Sequence, residues 1–255
     1  MQSSLLILPI LLRPVGTHLA KRLPTCYHRL SSFFGGVSMR YRCLVLDHDD
    51  TVMDSTRSIH HPAFLDALRQ MRPGITVSLE DYFRLNFDPG FLPYCEEVLH
   101  FSPEELSREY DIWQSWVSRI VPEVFPGMAR LIRRQVAEGG WICVVSHSVA
   151  HNILRDYAEN RLPAPTLVYG WEQPRERRKP NPWPVQEIAR QLQLSPAELL
   201  MVDDLKPGLD MARAAGIDFA AALWAHSIPE IHEHMRSECR HVFDTPESLE
   251  HWLFD

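Results

Sequence analysis

The chain reads as an α/β protein: a doubly wound parallel sheet that carries a small helical second domain. Three observations support this reading. Short apolar runs at 43–46, 141–146, 167–170, 199–203, 219–223 and 241–243 alternate with helical stretches, as βαβ units do. The first run, Cys43-Leu44-Val45-Leu46, is continuously apolar, as expected of a parallel strand buried on both faces. A long helical interruption at 57–124 then separates the first strand from the rest.

The first strand ends in Asp47-His48-Asp49-Asp50-Thr51. Asp47 and Asp49 stand two residues apart at a strand's carboxyl end, where open α/β sheets bind ligands. Carboxylates held close together either bind a cation or divide roles as nucleophile and proton carrier. Taken alone, the same residues read equally well as a turn whose aspartate caps the next helix. His48 reads first as an oriented neighbour of the two aspartates and second as a sensor of pH or substrate.

In the interruption, Leu106, Tyr110, Trp113, Val117 and Ile120 fall at helical spacing in a stretch running from Glu104 to Val121. Ser102 or Pro103 opens that helix, and the stripe reads as the second domain's own core. Asn86-Phe87-Asp88-Pro89-Gly90 reads as a turn-rich break. Arg57, His60, His61 and Arg84 are its polar candidates for facing a ligand. Arg84 is the first choice, although a lone arginine there is more often a surface residue.

The second strand ends at Ser146, in Val144-Val145-Ser146-His147-Ser148. Lys179 stands in the proline-broken loop Arg177-Arg178-Lys179-Pro180-Asn181-Pro182, and the strand at 199–203 ends in Asp203-Asp204. Singly, Ser146 reads as a turn residue and Lys179 as a solvated charge. Together, an aspartate pair, a serine, a lysine and an acidic pair supply the groups that metal-assisted phosphoryl transfer requires. Lys206-Pro207-Gly208 then reads as a tight turn, followed by a short helix that Gly216 stops.

In order and spacing these four elements resemble the haloacid dehalogenase-like hydrolase superfamily, and the match runs from about Tyr41 to Leu223. The resemblance implies a Rossmann-like core at 39–56 and 125–255. It also implies a helical cap at 57–124, of the size found in the phosphoglycolate phosphatase-like branch. By the same resemblance Asp47 is the nucleophile that forms an aspartyl-phosphate, and Asp49 is the general acid and base. Ser146 donates a hydrogen bond to the transferring phosphoryl group, and Lys179 neutralises its charge. The implied cofactor is Mg2+, held by Asp47, the backbone carbonyl of Asp49 and Asp204, with Asp203 acting through water.

Asp50 departs from the glycine common before the motif threonine. Aspartate tolerates turn geometry, so the site need not be disabled, but an extra charge lies near the metal. The presence of Asp49 favours phosphate esters over halides. The absence of lysine from 55–127 excludes the Schiff-base chemistry of phosphonate-cleaving relatives. The resemblance therefore implies a Mg2+-dependent phosphatase acting on a small phosphorylated metabolite. A phosphomutase of the same superfamily, or a non-catalytic binding module on this fold, is the alternative.

A net charge of -7 and the acid within Arg175-Glu176-Arg177-Arg178 argue against nucleic acid as a partner. The five cysteines, Cys26, Cys43, Cys95, Cys143 and Cys239, are widely spaced, which suggests a reducing, cytoplasmic setting. No membrane association is expected, because the apolar run 5–12 is short and is interrupted by Pro9. Nothing in the sequence speaks to the oligomeric state. Residues 1–38 form a basic, acid-free extension outside the core, resembling a transit peptide more than a secretory signal. Gly35-Gly36 followed by Met39 can also be encoded by a ribosome-binding site and start codon. The favoured expectation is therefore a natural start at Met39.

Overall fold

The computed structural model describes residues 39–255, and the readings made for 1–38 and for Cys26 lie outside the described residues. Strand β1 (Cys43–Leu46) occupies the middle of the main sheet and leads through Asp47–Thr51 into β2 (Met53–Asp54). A π-helical turn, Thr56–His60, opens a run of helices: α1 (His61–Met71), α2 (Leu79–Phe87) and α3 (Phe91–Pro93). A second π-helical turn, Tyr94–Val98, precedes α4 (Pro103–Val117). The chain then returns through β3 (Glu123–Val124), which pairs antiparallel with β2, so both limbs of the helical insertion leave the sheet side by side.

The remainder alternates: α5 (Met128–Ala137), β4 (Trp141–Val145), α6 (Ala150–Glu159), β5 (Leu167–Tyr169), α7 (Trp183–Leu192), β6 (Leu199–Asp203), α8 (Lys206–Ala215), β7 (Asp218–Ala222), α9 (Pro229–Glu238), β8 (His241–Phe243) and α10 (Pro246–Phe254). The sheet is parallel throughout, in the order β5-β4-β1-β6-β7-β8. From β1 the chain first winds outward to β4 and β5, then returns to β6 and winds the other way. The carboxyl ends of β1 and β6 therefore flank the topological switch point, where such sheets form their crevice.

Burial on both faces explains why the strands read as apolar runs. Leu44 and Leu46 of β1 pack with Leu131, Ile153 and Leu253 on one face, while Cys43 and Val45 pack with Ile188, Met211 and Met235 on the other. The helical insertion has its own core, in which Phe64, Leu68, Tyr82, Leu85, Cys95 and Phe101 cluster.

Three expectations for the insertion change. Helix α4 ends at Val117, so Ile120 lies beyond it, and its carbonyl accepts from Arg155. Its stripe is divided: Leu106 packs on the insertion's core, but Tyr110 and Trp113 line a cavity. Asn86 and Phe87 are the end of α2 and not part of the break, which is confined to Asp88–Gly90. The opening of α4 is as expected, with Ser102 and Glu105 forming a reciprocal capping box. Elsewhere, Lys206-Pro207-Gly208 is the first turn of α8 and not a separate turn.

Candidate active site

Asp47, Ser146 and Asp203-Asp204 leave the carboxyl ends of three adjacent strands, β1, β4 and β6, and all four residues are buried. Lys179 comes from the loop after β5 and reaches between two of them. Its Nζ donates to Asp47 Oδ1 at 2.6 Å and to Asp203 Oδ2 at 2.7 Å. Burial alone would lower the Lys179 pKa, but Asp203 and Asp47 outweigh it and hold the ammonium well above the usual lysine range.

Burial pushes the Asp47 carboxyl up to about 7, opposed by Lys179 and assisted by the Asp203 and Asp49 charges. Asp204 is raised well above the ordinary carboxylate range, first by burial and then by repulsion from Asp203, Asp50 and Asp47. One carboxylate oxygen from each of Asp47, Asp203 and Asp204 lies within 4.8 Å of the others. Asp204 Oδ1 accepts from Thr51 Oγ1 at 3.3 Å, while Asp204 Oδ2 is buried with no partner among the described residues. An orphaned carboxylate oxygen in a crowd of like charges is the environment that a hard divalent cation relieves, so the residues fit Mg2+. Asp203 is more committed, since its Oδ1 accepts from the Leu205 amide at 2.9 Å while Oδ2 holds Lys179.

The Asp49 side chain turns away from this cluster. Its Oδ1 accepts from Ser55 Oγ at 2.8 Å and lies 2.8 Å from His60 Nε2; its Oδ2 accepts from Ser148 Oγ at 2.6 Å and from Ser146 Oγ at 3.4 Å. Burial would raise the Asp49 carboxyl, but His60, with His48 and the Ser148 hydroxyl, holds it well below the usual range. Asp49 is left with only its backbone carbonyl for the metal role that the resemblance implies.

Asp50 takes the left-handed conformation at φ 59, as expected of an aspartate in a glycine position. Its Oδ1 accepts from the Thr56 amide at 3.2 Å, and burial pushes its carboxyl up to about 6. His48 points away from the crevice, with Nε2 3.1 Å from Asp156 Oδ2 and its ring stacked on Tyr157. It is an oriented neighbour.

Several readings of the insertion are corrected. Arg84 pairs with Glu80, Asp81 and Glu230 on the outer surface and does not line the central cavity. Arg57 donates to the Ala225 carbonyl, and His61 contacts the Val77 carbonyl. Of the four candidates only His60 enters the site, where its Nδ1 accepts from Trp113 Nε1 at 2.9 Å. Sequence reasoning missed Ser148, whose signal is its place two residues after Ser146 in the same turn. It also missed Trp113 as a site residue, and Glu109, which a charge-rich helix conceals.

Above the strand ends lies a cavity of about 410 Å³. Asp47, Asp49, Ser146, Ser148 and Lys179 form part of it, together with His60, Tyr82, Phe91, Glu109, Tyr110, Trp113, Trp171 and Arg178.

A family model described as haloacid dehalogenase-like hydrolase matches residues 44–222. The chain belongs to this family of hydrolases. No curated protein compared with this hydrolase matches it. Among solved structures, a conserved haloacid dehalogenase-like protein from Agrobacterium tumefaciens superposes with a TM-score of 0.67 at 18% identity, over 83% of this chain and 97% of its own. A predicted phosphoglycolate phosphatase from Haemophilus somnus gives 0.64 at 16% identity, covering 84% of this chain and 98% of its own. CbbY from Rhodobacter sphaeroides, in complex with xylulose-1,5-bisphosphate, gives 0.66 at 17% identity, over 82% of this chain and 96% of its own. At these identities the likeness is one of fold. Among the described residues, no helix is long and apolar enough to cross a membrane.

Proposed function

We propose that this hydrolase is a Mg2+-dependent phosphatase that removes phosphate from a small phosphorylated metabolite through an Asp47 aspartyl-phosphate. The observation that carries the reading is the paired geometry of Asp47 and Asp49. One carboxylate is charge-compensated by Lys179, while the other is held apart by serines and a histidine, so that the two serve different protonation tasks.

Asp47 Oδ1 is held by Lys179, which orients the carboxylate so that its other oxygen can attack phosphorus. The ester P–O bond breaks as the Asp47 O–P bond forms, and Asp49, ionised in the resting site, relays a proton from the adjacent His60 ring to the departing oxygen. The His60 ring 2.8 Å from Asp49 keeps a proton within reach of that carboxylate. Asp49 then takes a proton from water, which attacks the aspartyl-phosphate, releases inorganic phosphate and restores Asp47. Lys179 offsets negative charge on the phosphoryl group throughout, and Ser146, which lines the same cavity, donates to it. Asp47, Asp204 and the Asp49 carbonyl would hold Mg2+, with Asp203 beside them; when bound, the ion neutralises charge developing on the phosphoryl oxygens.

In this reading the helical insertion, 57–124, is a cap that closes over the cavity and the sheet domain, 39–56 and 125–255, is the catalytic core. Cys43, Cys95, Cys143 and Cys239 are all free, which supports a reducing, cytoplasmic setting. The test is phosphate release from p-nitrophenyl phosphate and a panel of phosphorylated metabolites, with Mg2+ or with EDTA. Turnover that needs Mg2+ and falls by at least about a thousandfold in Asp47→Asn is expected. Turnover retained by Asp47→Asn would exclude the phosphoenzyme.

A further inference from the structure

Glu109 is 8% exposed, lies on α4 and lines the cavity, yet its carboxylate accepts no hydrogen bond and joins no ion pair among the described residues. Burial accordingly pushes its carboxyl up to about 7, and the nearby His60 ring opposes the shift. His60 is itself committed to Asp49 and Trp113. A carboxylate withdrawn from water without a partner is costly, and in a ligand cavity the compensating group can come with the ligand.

The walls of the cavity narrow the choice of that group. Tyr82, Phe91, Tyr110, Trp113 and Trp171 all line it. Ring faces attract a cation and cannot hydrogen-bond a set of hydroxyls. The cavity's strong cations, Lys179, Arg178 and Arg175, all come from the loop that serves Asp47; Arg175 is already paired with Glu96, and Arg178 sits over Trp171 with its guanidinium carbon 4.0 Å from the ring centroid. Positive charge therefore accompanies the phosphoryl end, while Glu109 and the rings of the insertion offer a place for positive charge at the other.

We propose that Glu109 is a specificity-determining residue and that the substrates are phosphate monoesters of amino alcohols, with the ammonium group received by Glu109 and the surrounding rings. The proposal rests on the phosphatase reading for its phosphoryl end. An ester of this kind presents a phosphate anion to Lys179 and a cation to α4, matching the charges of the cavity end for end. Neutral polyol phosphates leave Glu109 uncompensated, and apolar esters leave it desolvated.

Charged esters and their uncharged isosteres test this directly: choline phosphate against 3,3-dimethylbutyl phosphate, and ethanolamine phosphate against n-propyl phosphate. In the wild type, kcat/KM for the ammonium member is expected to exceed that for its isostere by about tenfold or more. In Glu109→Gln the ratio should fall to near unity. Equal kcat/KM values within each pair in the wild type, or a ratio unaltered by Glu109→Gln, would overturn the proposal. Calorimetric binding of the same pairs to Asp47→Asn gives the comparison without turnover, with tighter binding of the ammonium ester expected and equal affinity overturning it. Hydrolysis of p-nitrophenyl phosphate by the wild type is scored separately. Its absence would count against the phosphatase reading, while the binding ratio would still decide the role of Glu109.

Discussion

A β-carbon on Gly208 would lie 2.2 Å from Asp203 Oδ2 and 2.6 Å from Asp203 Cβ, so the first turn of α8 can approach the site only as glycine. Because Asp203 is the second anchor of Lys179, displacing it also shifts the cation that aligns Asp47. Gly208→Ala is expected to lower kcat about a hundredfold, as misplacement of catalytic groups by about an ångström does. Overpacking should cost about 1–3 kcal/mol in stability. Steady-state kinetics beside urea unfolding checks both, and a fully active Gly208→Ala would show that Asp203 does not set the Lys179 position. The same residue scale explains what was hard to read beforehand. Asp47, Lys179 and the Asp203-Asp204 pair sit on strand ends or in a proline-broken loop, where chain geometry leaves few directions for a side chain. His60 closes a π-helical turn, which adds a residue to the local period and defeats counting by threes and fours.

At the scale of the element, α4 is two helices in one. Its amino end is a capped structural piece: Ser102 and Glu105 close the box, and Arg72 at the end of α1 pairs with Glu105. Its middle faces the cavity through Glu109, Tyr110 and Trp113. The burial of Glu109 has a consequence for stability whose sign follows from linkage. The folded chain holds the Glu109 proton up to about pH 7, against an ordinary value of 4.5, so the folded state binds more protons across that interval and stability falls as pH rises through it. Glu109→Gln is therefore expected to be more stable than the wild type at pH 8 by on the order of 3 kcal/mol, and to match it at pH 4 and below. Urea unfolding at the two pH values checks this, and a difference independent of pH would show that the carboxylate is not desolvated. Periodicity identified α4 as a helix but could not divide its stripe, because a cavity-lining ring and a core ring have the same spacing.

For the molecule as a whole, the parallel sheet was legible because its strands are buried on both faces and therefore read as uninterrupted apolar runs. The β2–β3 ribbon was not, since two-residue strands carry no period. The sheet delivers its acidic strand ends to one crevice, and their mutual repulsion predicts how the fold responds to metal. With Asp47 raised to about 7 and Asp204 also raised by burial and like charges, a divalent cation must displace protons to bind. Mg2+ should raise the Tm relative to EDTA, and by more at pH 8 than at pH 6, since the ligands must be deprotonated. In Asp204→Asn the gain should largely vanish. Thermal unfolding with and without Mg2+ at both pH values measures it, and an equal gain in Asp204→Asn would remove Asp204 from the metal site.

The side-by-side limbs of β2 and β3 separate two kinds of change that the protein can undergo over evolutionary time. In the proposed reading the groups that meet the phosphoryl group belong to the sheet domain and its loops, while much of the cavity wall around the leaving group belongs to the segment those limbs carry. Substitutions at Tyr82, Glu109 or Tyr110 can therefore redirect the enzyme toward new compounds without disturbing its chemistry. Among the cavity-lining residues of the carried segment, His60 is the one in contact with Asp49. It is the position where a drift in substrate preference would first be felt as a loss of rate.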